Sequence, residues 1–349
     1  GFLFGQRGHQ FTAPAELRGY PTGDKIRGAE GKGDMLSVAV CLLLYSFAVA
    51  MVSPWVLLPL TREGSVPRLG VVAWLVAMVS VVASWVSAAA FLIASLIRHR
   101  DQPGRLATAC WAALRRLFDG DAGLMVQAGW FTLAAAGVSA LAILGWRLSR
   151  SLWRARAHSH GHAERVRVIG RRIEGMDAVV VDAPELAAYC VAGRPNAIVV
   201  TSAALDALTD RHLQAVLAHE RAHLAGRHHD VLAFARALAA AIPWLTLFSK
   251  GAREIARLLE ICADDTAARR HGSETLLDAL LALSAGAPMP HGAVGAAATD
   301  VLARAEHLAT PFAARNQWTA GLLLTATMLL IAGGPLVPAA LTAGGAMWC

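Results

Sequence analysis

Three closely spaced residues of this chain have the types and spacing that metal-assisted chemistry requires. His219, Glu220 and His223 occur in the order H-E-x-x-H. On a helix, residues four positions apart lie on one face, so the two imidazoles can bind a single metal ion. Zinc lowers the pKa of its bound water, and the neighbouring glutamate can take a proton from that water. The pattern therefore predicts Zn²⁺ as the cofactor, His219 and His223 as metal ligands and Glu220 as the general base.

The third metal ligand has two candidates. His229 completes the longer pattern H-E-x-x-H-x-x-G-x-x-H, in which Gly226 turns the chain so that a third histidine reaches the metal. The residues after Gly226 favour a helix that continues past this glycine, and such a helix carries His229 away from the metal. Glu260 lies on a second predicted helix, about residues 252–270, and completes a His-His-Glu site with one position left for water. We favour Glu260 as the third ligand.

A second carboxylate accompanies the favoured ligand. Asp264 shares a helix face with Glu260, because the two residues are four positions apart. A carboxylate at this place can hydrogen-bond to a ligand histidine and orient it, so we expect Asp264 beside the ligands rather than among them. Two other interpretations stay open. Glu260 and Asp264 can form a solvent-facing helix side paired with Arg257 and Arg269, or Glu254 can be the ligand, although it lacks an aspartate four residues later.

The segments around the motif predict how it is held in place. Thr209 or Asp210 can cap a helix that runs through the H-E-x-x-H pattern. Two short β-rich runs precede this helix, 177–181 (DAVVV) and 197–201 (AIVVT), and they predict a small sheet. If the AIVVT strand is an exposed sheet edge near the metal, it can hold an extended substrate by strand addition.

The composition is typical of a membrane protein. Hydrophobic residues make up 56% of the chain, charged residues only 16%, and the mean hydropathy is +0.46, whereas a soluble domain has about 25% charged residues. Spanning a bilayer takes about 20 apolar residues. Four runs are long enough: about 36–60, 69–97, 123–146 and 319–341. The shorter run 237–248 contains Pro243 and predicts a buried or membrane-dipping helix instead.

The positive charge of the chain indicates membrane topology rather than nucleic-acid binding. The net charge is +7, but the arginines lie next to the apolar runs, as in the cytoplasmic flanks of membrane helices. Eight arginines between Arg147 and Arg172 place the region after the third span in the cytoplasm. This topology places loop 98–122 outside the cell. The five arginines of that loop argue against the topology, because arginines are concentrated in cytoplasmic loops. We expect no direct nucleic-acid partner.

Two further features of the sequence argue against other classes of protein. Five cysteines, an odd number without a C-x-x-C pair, argue against a disulfide framework. No charged residue lies in the middle of a predicted span, which argues against a transporter.

The run 105–118 predicts an amphipathic helix at the membrane interface. The histidine tract 158–162 follows the third span and predicts a solvated linker facing the lipid headgroups rather than a metal site.

These features divide the chain into four parts. Residues 1–34 are polar and glycine-rich and predict a disordered leader or a non-native extension, with Met35 as the expected natural start. Residues 35–147 form a three-helix transmembrane region, and residues 148–317 form a cytoplasmic zinc domain. Residues 318–349 form a fourth transmembrane helix and a short tail. The predicted fold class is a mainly α membrane protein with an α+β domain inserted between helices 3 and 4.

The two metal motifs resemble those of a known group of enzymes. H-E-R-A-H, followed after one apolar helix by E-x-x-A-D at residues 260–264, is similar to the motifs of the gluzincin-type integral membrane zinc metallopeptidases. The domain between a third and a fourth span, and the G-R-P run before the AIVVT strand, resemble the BlaR/MecR-type sensor-transducers in particular, over roughly residues 35–345. The resemblance implies zinc bound by His219, His223 and Glu260, with Glu220 as general base and Asp264 as a supporting residue.

The resemblance also implies a function. It predicts a multi-pass plasma-membrane endopeptidase, with a cytoplasmic catalytic domain, that acts in signal transduction. Its expected partners are membrane lipid and a cytoplasmic or membrane-proximal protein substrate, such as a winged-helix repressor of the BlaI/MecI type, or the peptidase itself. The best-known members carry a penicillin-binding sensor domain after the fourth span, where this sequence ends at Cys349. That difference argues against direct β-lactam sensing.

Two alternatives belong to other functional classes. An HtpX-like protease would trim misfolded membrane proteins in quality control rather than cleave one signalling partner. A non-proteolytic signalling protein would use the same zinc site as a structural element. Loss of the Glu220 carboxylate separates the second alternative from both proteases, because a structural site does not need a general base.

Overall fold

The computed structural model describes residues 34–98, 124–173, 177–285, 296–310 and 314–335. All but the last residue of the expected leader 1–34, the amphipathic run 105–118 and nearly all of loop 98–122 lie outside these ranges. The described residues form ten helices and one small sheet, in agreement with the mainly α prediction. The helices are α1 Asp34–Thr61, α2 Pro67–Arg98, α3 Leu124–Ile169, α4 Ser202–Ala207, α5 Asp210–Ala225, α6 His228–Ala241, α7 Thr246–His271, α8 Ser273–Ala285, α9 Ala296–Ala309 and α10 Ala314–Gly333.

Two of the described helices are long and apolar enough to cross a membrane. Their apolar segments, Val38–Thr61 in α1 and Pro67–Ala94 in α2, coincide with the first and second predicted spans. The third predicted span begins α3, and the apolar segment Gln317–Gly333 of α10 is shorter than a full span. The third and fourth spans therefore stay predictions.

The stretch after the third predicted span is helical, which corrects the expectation of a linker. Helix α3 continues without interruption to Ile169, and this Arg-rich stretch contains no proline to break it. The histidine tract 158–162 thus lies on a helix. Within it, Nε2 of His162 lies 3.3 Å from the Tyr189 hydroxyl, so the end of α3 contacts the sheet.

The sheet has four strands, two of which the sequence predicted. They are β1 Arg171–Arg172, β2 Val179–Val181, β3 Ala188–Val191 and β4 Ala197–Thr201, in the order β1-β2-β4-β3. Strand β4 pairs in parallel with β2 and antiparallel with β3, where Tyr189 faces Val199. The expectation that AIVVT could be an edge strand is wrong, because β4 is central and fully buried. The edge on that side is β3, whose four residues AYCV are too few for a clear strand pattern.

The predicted run 237–248 is not one helix. Helix α6 ends at Ala241, and α7 begins at Thr246. Pro243 lies in the break between them, where its missing N–H breaks no helical hydrogen bond. Helix α7 therefore starts six residues before the predicted 252 and reaches back to the apolar helices, where Gly251 lies against Trp74 of α2.

Candidate metal centre

Helix α5 positions the H-E-x-x-H residues. Its N-cap is Thr209, one of the two residues predicted for this role, and the Thr209 side chain accepts a hydrogen bond from the His212 backbone N–H at 3.3 Å. The cap satisfies one of the free N–H groups of the first helical turn. The apolar side of the helix is buried, and so are His219 and Glu220, while His223 is half-buried. The motif thus faces the interior, where water is restricted.

The structure brings together the three ligands favoured from the sequence. One donor atom each of His219, His223 and Glu260 lie within 4.8 Å of one another. The Nε2 atoms of the two histidines are 3.0 Å apart, and each lies 3.6 Å from a carboxylate oxygen of Glu260. Donors held tetrahedrally at zinc–nitrogen distances are about 3.3 Å apart. The spacing and the donor set of two imidazoles and one carboxylate therefore fit a zinc ion.

The charges around this group favour a cation. Burial raises the pKa of Glu260, but hydrogen bonds from His219 and His223 outweigh it and hold that pKa well below its usual range. Burial lowers the pKa of His219, but hydrogen bonds to Asp264 and Glu260 outweigh it and raise the value to about 9. The carboxylates of Asp264 and Glu260 thus stabilise positive charge on the His219 ring, against the opposing charge of Arg304.

Glu220 lies beside the ligands in a different environment. It is buried, and burial raises the pKa of its carboxyl, against the lowering effect of His219 and His223. The structure places Cys190 on β3 next to Glu220, where burial and then the Glu220 charge raise the pKa of the thiol to about 12.

Asp264 lies beside the ligand histidine, as expected from the sequence. It is fully buried, and Oδ1 lies 2.9 Å from Nδ1 of His219. Its other partner, Arg304 on α9, was missed. Nε and Nη2 of Arg304 each donate to a different Asp264 oxygen at 2.7 Å, and Nη1 lies 3.3 Å from Glu260. Arg304 follows Asp264 by forty residues, so no local spacing in the sequence could pair them.

Neither of the other interpretations of α7 matches the geometry. Arg257 donates to the carboxylate of Glu254 at 2.9 Å and to the Thr61 carbonyl. Glu254 is therefore engaged with this arginine and is outside the ligand group. Arg269 donates to the hydroxyl of Thr266 rather than to Asp264.

The turn after the motif corrects one expectation. Helix α5 does not continue past Gly226. It ends at Ala225, and Arg227 adopts a left-handed conformation with φ of 50° before α6 begins. The turn brings His228 onto the motif, with its Nδ1 3.0 Å from Nδ1 of His223. His229 instead lies 3.6 Å from Asp230 and is not part of the ligand group.

A cavity of about 320 Å³ opens onto the metal centre. His219, Glu220, Glu260 and Arg304 form its polar side. Apolar side chains from α5, α8 and α9 form much of the rest: Val216, Leu276, Leu280, Leu283 and Val301. Ala188 of the edge strand β3 also lines it. The space can hold a bulky apolar side chain directly beside the candidate general base.

Residues 155–291 match the model of Peptidase family M48. The matched segment is less than half of the chain, but it contains the whole sheet, the H-E-x-x-H motif, Glu260 and Asp264. No curated protein and no solved structure shows a significant match to the chain. The family match supports an M48-type metallopeptidase domain, in agreement with the metallopeptidase expected from the sequence.

Proposed function

We propose that this chain is a zinc-dependent endopeptidase of the plasma membrane, with its catalytic domain on the cytoplasmic side. The observation that carries the proposal is the convergence of His219, His223 and Glu260 beside the buried Glu220. The family match over the same residues supports peptidase activity. The two apolar helices α1 and α2 support membrane attachment.

The residues at the centre divide the chemistry between them. His219, His223 and Glu260 would hold the zinc ion, which when bound polarises the scissile carbonyl and lowers the pKa of a coordinated water. Glu220 accepts a proton from the attacking water and returns it to the leaving amine. Burial raises the pKa of Glu220 above its ordinary value, which makes the carboxylate a stronger base.

The surroundings of the centre suit a polypeptide substrate. The edge strand β3 carries Ala188 into the wall of the catalytic cavity, so an extended chain can pair with this edge and pass the metal centre. The apolar walls favour a bulky apolar side chain next to the scissile bond. We propose a cytoplasmic or membrane-proximal protein as the substrate, such as a repressor of the BlaI/MecI type, or the peptidase itself in signalling.

Replacement of the general base tests the proposal. Glu220→Gln should keep the zinc content of the purified chain and lower cleavage of a reporter peptide with a central leucine by at least ~100-fold, because proton transfer is lost. The matched control is Glu274→Gln, an exposed glutamate at the start of α8, which should cleave at the wild-type rate. Wild-type cleavage by Glu220→Gln would remove Glu220 from the mechanism.

A comparison of substrates separates signalling from quality control. The purified chain is incubated with a folded repressor of the BlaI/MecI type and with an unrelated protein in its folded and unfolded forms. Cleavage of the folded repressor alone supports the signalling function. Cleavage of any unfolded chain supports the HtpX-like alternative instead. If no substrate is cleaved and biological function survives Glu220→Gln, the zinc site is structural.

A further inference from the structure

The contacts of α7 with the two apolar helices report how deep this helix lies in the membrane. In its second half, Ile261 lies against Gly64, in the loop that joins α1 and α2. Ten residues earlier, Gly251 lies against the ring of Trp74 in α2. Trp74 follows Pro67, the first residue of α2, by seven positions, which is about 10 Å along the helix axis. Helix α7 therefore reaches from the level of the loop well into the second candidate span.

The start of α7 lies deeper still. Thr246 precedes Gly251 by five residues, which adds about 7 Å and places the start of α7 about 17 Å inside the span. The hydrocarbon core of a bilayer is about 30 Å thick, so this depth is close to its midplane. Helix α6 begins at the metal-binding motif and runs beside α7 to Ala241, and its Ala235 and Leu238 are buried in the same core. The two helices thus form a hairpin that enters from the side of the metal centre and turns back near the midplane.

The composition of this hairpin suits contact with lipid. Residues 235–253 contain no acidic residue. Their three basic residues, Arg236, Lys250 and Arg253, have side chains long enough to extend toward the headgroups. Trp244, in the turn between the helices, is 73% exposed. A large apolar ring in this position is uncovered in water but is solvated by hydrocarbon near the midplane.

The same helix sets the height of the metal centre relative to the membrane. Leu258 lies against Gly70, about 4 Å inside the start of α2, whereas Ile261 lies against the loop residue Gly64. Glu260 lies between these two contacts, so this ligand is level with the ends of the two candidate spans to within about 5 Å. The polar headgroup layer extends about 5–8 Å beyond each side of the hydrocarbon core. The metal centre therefore lies at headgroup depth.

We propose that the hairpin of α6 and α7 holds the metal centre at the membrane surface, and that the substrate is a membrane-anchored protein cleaved a few residues beyond its membrane-spanning segment. This inference rests on the proposed function, because it assumes both the membrane attachment and the peptidase activity. It narrows the substrate to the membrane-proximal kind. An extended chain advances about 3.3 Å per residue, so a scissile bond about four residues from the hydrocarbon already reaches the metal centre.

A ladder of anchored substrates tests the height of the metal centre. The full chain, loaded with zinc, is reconstituted in vesicles with reporters that carry one membrane-spanning segment and a leucine-centred cleavage sequence. Spacers of about 4, 8, 16 and 32 residues separate the scissile bond from this segment. The two shortest reporters should be cleaved. The longest should be cleaved about 8-fold more slowly than the reporter with about 8 residues, because local concentration falls as the −3/2 power of spacer length. Cleavage only at about 16 residues or more would place the metal centre far above the headgroups and overturn the proposal.

Labelling of the turn tests the hairpin without any cleavage. Trp244→Cys places a thiol in the turn, and the control Asp206→Cys places one at an exposed position of α4. Each chain in lipid nanodiscs is treated with a charged maleimide, and its added mass is compared with that of the wild type, which has five cysteines of its own. Asp206→Cys should gain one label, and Trp244→Cys should gain it only after unfolding in dodecyl sulfate. Equal labelling of the two variants in nanodiscs would place the turn in water and overturn the proposal.

A soluble reporter peptide with the same cleavage sequence separates two kinds of failure. Its cleavage by the wild type and by Glu220→Gln is measured on the same preparations. If the wild type cleaves the soluble peptide but neither of the two shortest anchored reporters, the anchored substrate fails and the proposed peptidase survives. Cleavage of the soluble peptide as fast as the best anchored reporter at equal concentration would also overturn the proposal. If nothing is cleaved, the proposed function fails and the substrate inference fails with it, while the labelling still decides the depth of the hairpin.

Discussion

The second ring nitrogens of the two proposed ligand histidines have different partners. Nδ1 of His219 lies 2.9 Å from a carboxylate oxygen of Asp264, and Nδ1 of His223 lies 3.0 Å from Nδ1 of His228. A partner that accepts the proton of this nitrogen fixes the tautomer and leaves Nε2 free for a metal. His228 suits this role, because burial and then the His223 charge lower the pKa of His228 to about 4 and keep it neutral at pH 7.

Replacement of His228 is therefore expected to weaken metal binding. In His228→Ala the ring of His223 loses its acceptor, and the zinc affinity should fall about 10- to 100-fold. The affinity is measured by competition with a chromophoric chelator. The control is His229→Ala, which should keep the wild-type affinity. The opposite result, zinc loss in His229→Ala alone, would restore His229 as the third ligand.

The buried pair of Asp264 and Arg304 predicts an acid sensitivity of the fold. Burial raises the pKa of Asp264, but hydrogen bonds from Arg304 and His219 outweigh it and hold that pKa below its usual range of about 3.9. A carboxyl with a depressed pKa in the folded state stabilises the fold above its unfolded pKa and loses this effect as pH falls through the folded pKa. The free energy of unfolding of the zinc-depleted chain should therefore decrease from pH 5 to pH 3.

Removal of the cation should weaken this acid dependence. Arg304→Met leaves Asp264 buried without its guanidinium partner, which should cost about 3–5 kcal/mol at pH 7. The variant should lose less stability than the wild type between pH 5 and pH 3, because the Asp264 pKa is less depressed when only His219 lowers it. Arg257→Met, which breaks the pair with Glu254, is the control and should keep the wild-type slope. An unchanged slope in Arg304→Met would contradict this account of Asp264.

At the scale of elements, the tight turn between α5 and α6 depends on a glycine. A Cβ atom on Gly226 would lie 3.2 Å from the Ala222 carbonyl oxygen and would overlap the ring of His228. Gly226→Ala should therefore push His228 away from His223 and lower the zinc affinity as His228→Ala does. Gly161→Ala is the control, because a Cβ on Gly161 meets nothing within 4 Å. That variant should bind zinc normally and gain about 0.5–1 kcal/mol of stability.

The sequence predicted the elements whose signals are local and missed those that depend on distant contacts. The H-E-x-x-H spacing and the Thr209 cap predicted α5, and two β-rich runs predicted β2 and β4. The turn at Gly226 was missed because the following residues favour a helix, and the helix does resume at His228 after two residues. Arg304 was missed because the packing of α9 on α7 brings it to Asp264. The spacing of residues along the sequence does not predict such a tertiary contact.

At the scale of the whole molecule, α7 connects the candidate metal centre to the apolar helices. Its early part packs on α2, where a Cβ on Gly251 would lie 3.0 Å from the ring of Trp74. Leu258, two turns of helix later, is fully buried in the same core. Glu260 and Asp264 follow on the same helix and face the motif. Helices α6 and α7 therefore share one hydrophobic core with the two apolar helices. Because α7 also carries Glu260, a cavity in that core should disturb the candidate metal centre.

Truncation of Trp74 tests this connection. Its ring is completely buried between α2 and α7, and Nε1 donates to the Thr61 hydroxyl at 3.4 Å. Trp74→Ala leaves a cavity that should lower the free energy of unfolding by about 3–5 kcal/mol. Because α7 carries Glu260, zinc should also be released at a lower temperature, which is followed with a fluorescent zinc indicator during heating. Trp55→Ala removes a tryptophan that is 81% exposed, so it should release zinc at the wild-type temperature. If Trp74→Ala unfolds earlier but retains zinc to the wild-type temperature, the apolar helices and the metal centre are independent units.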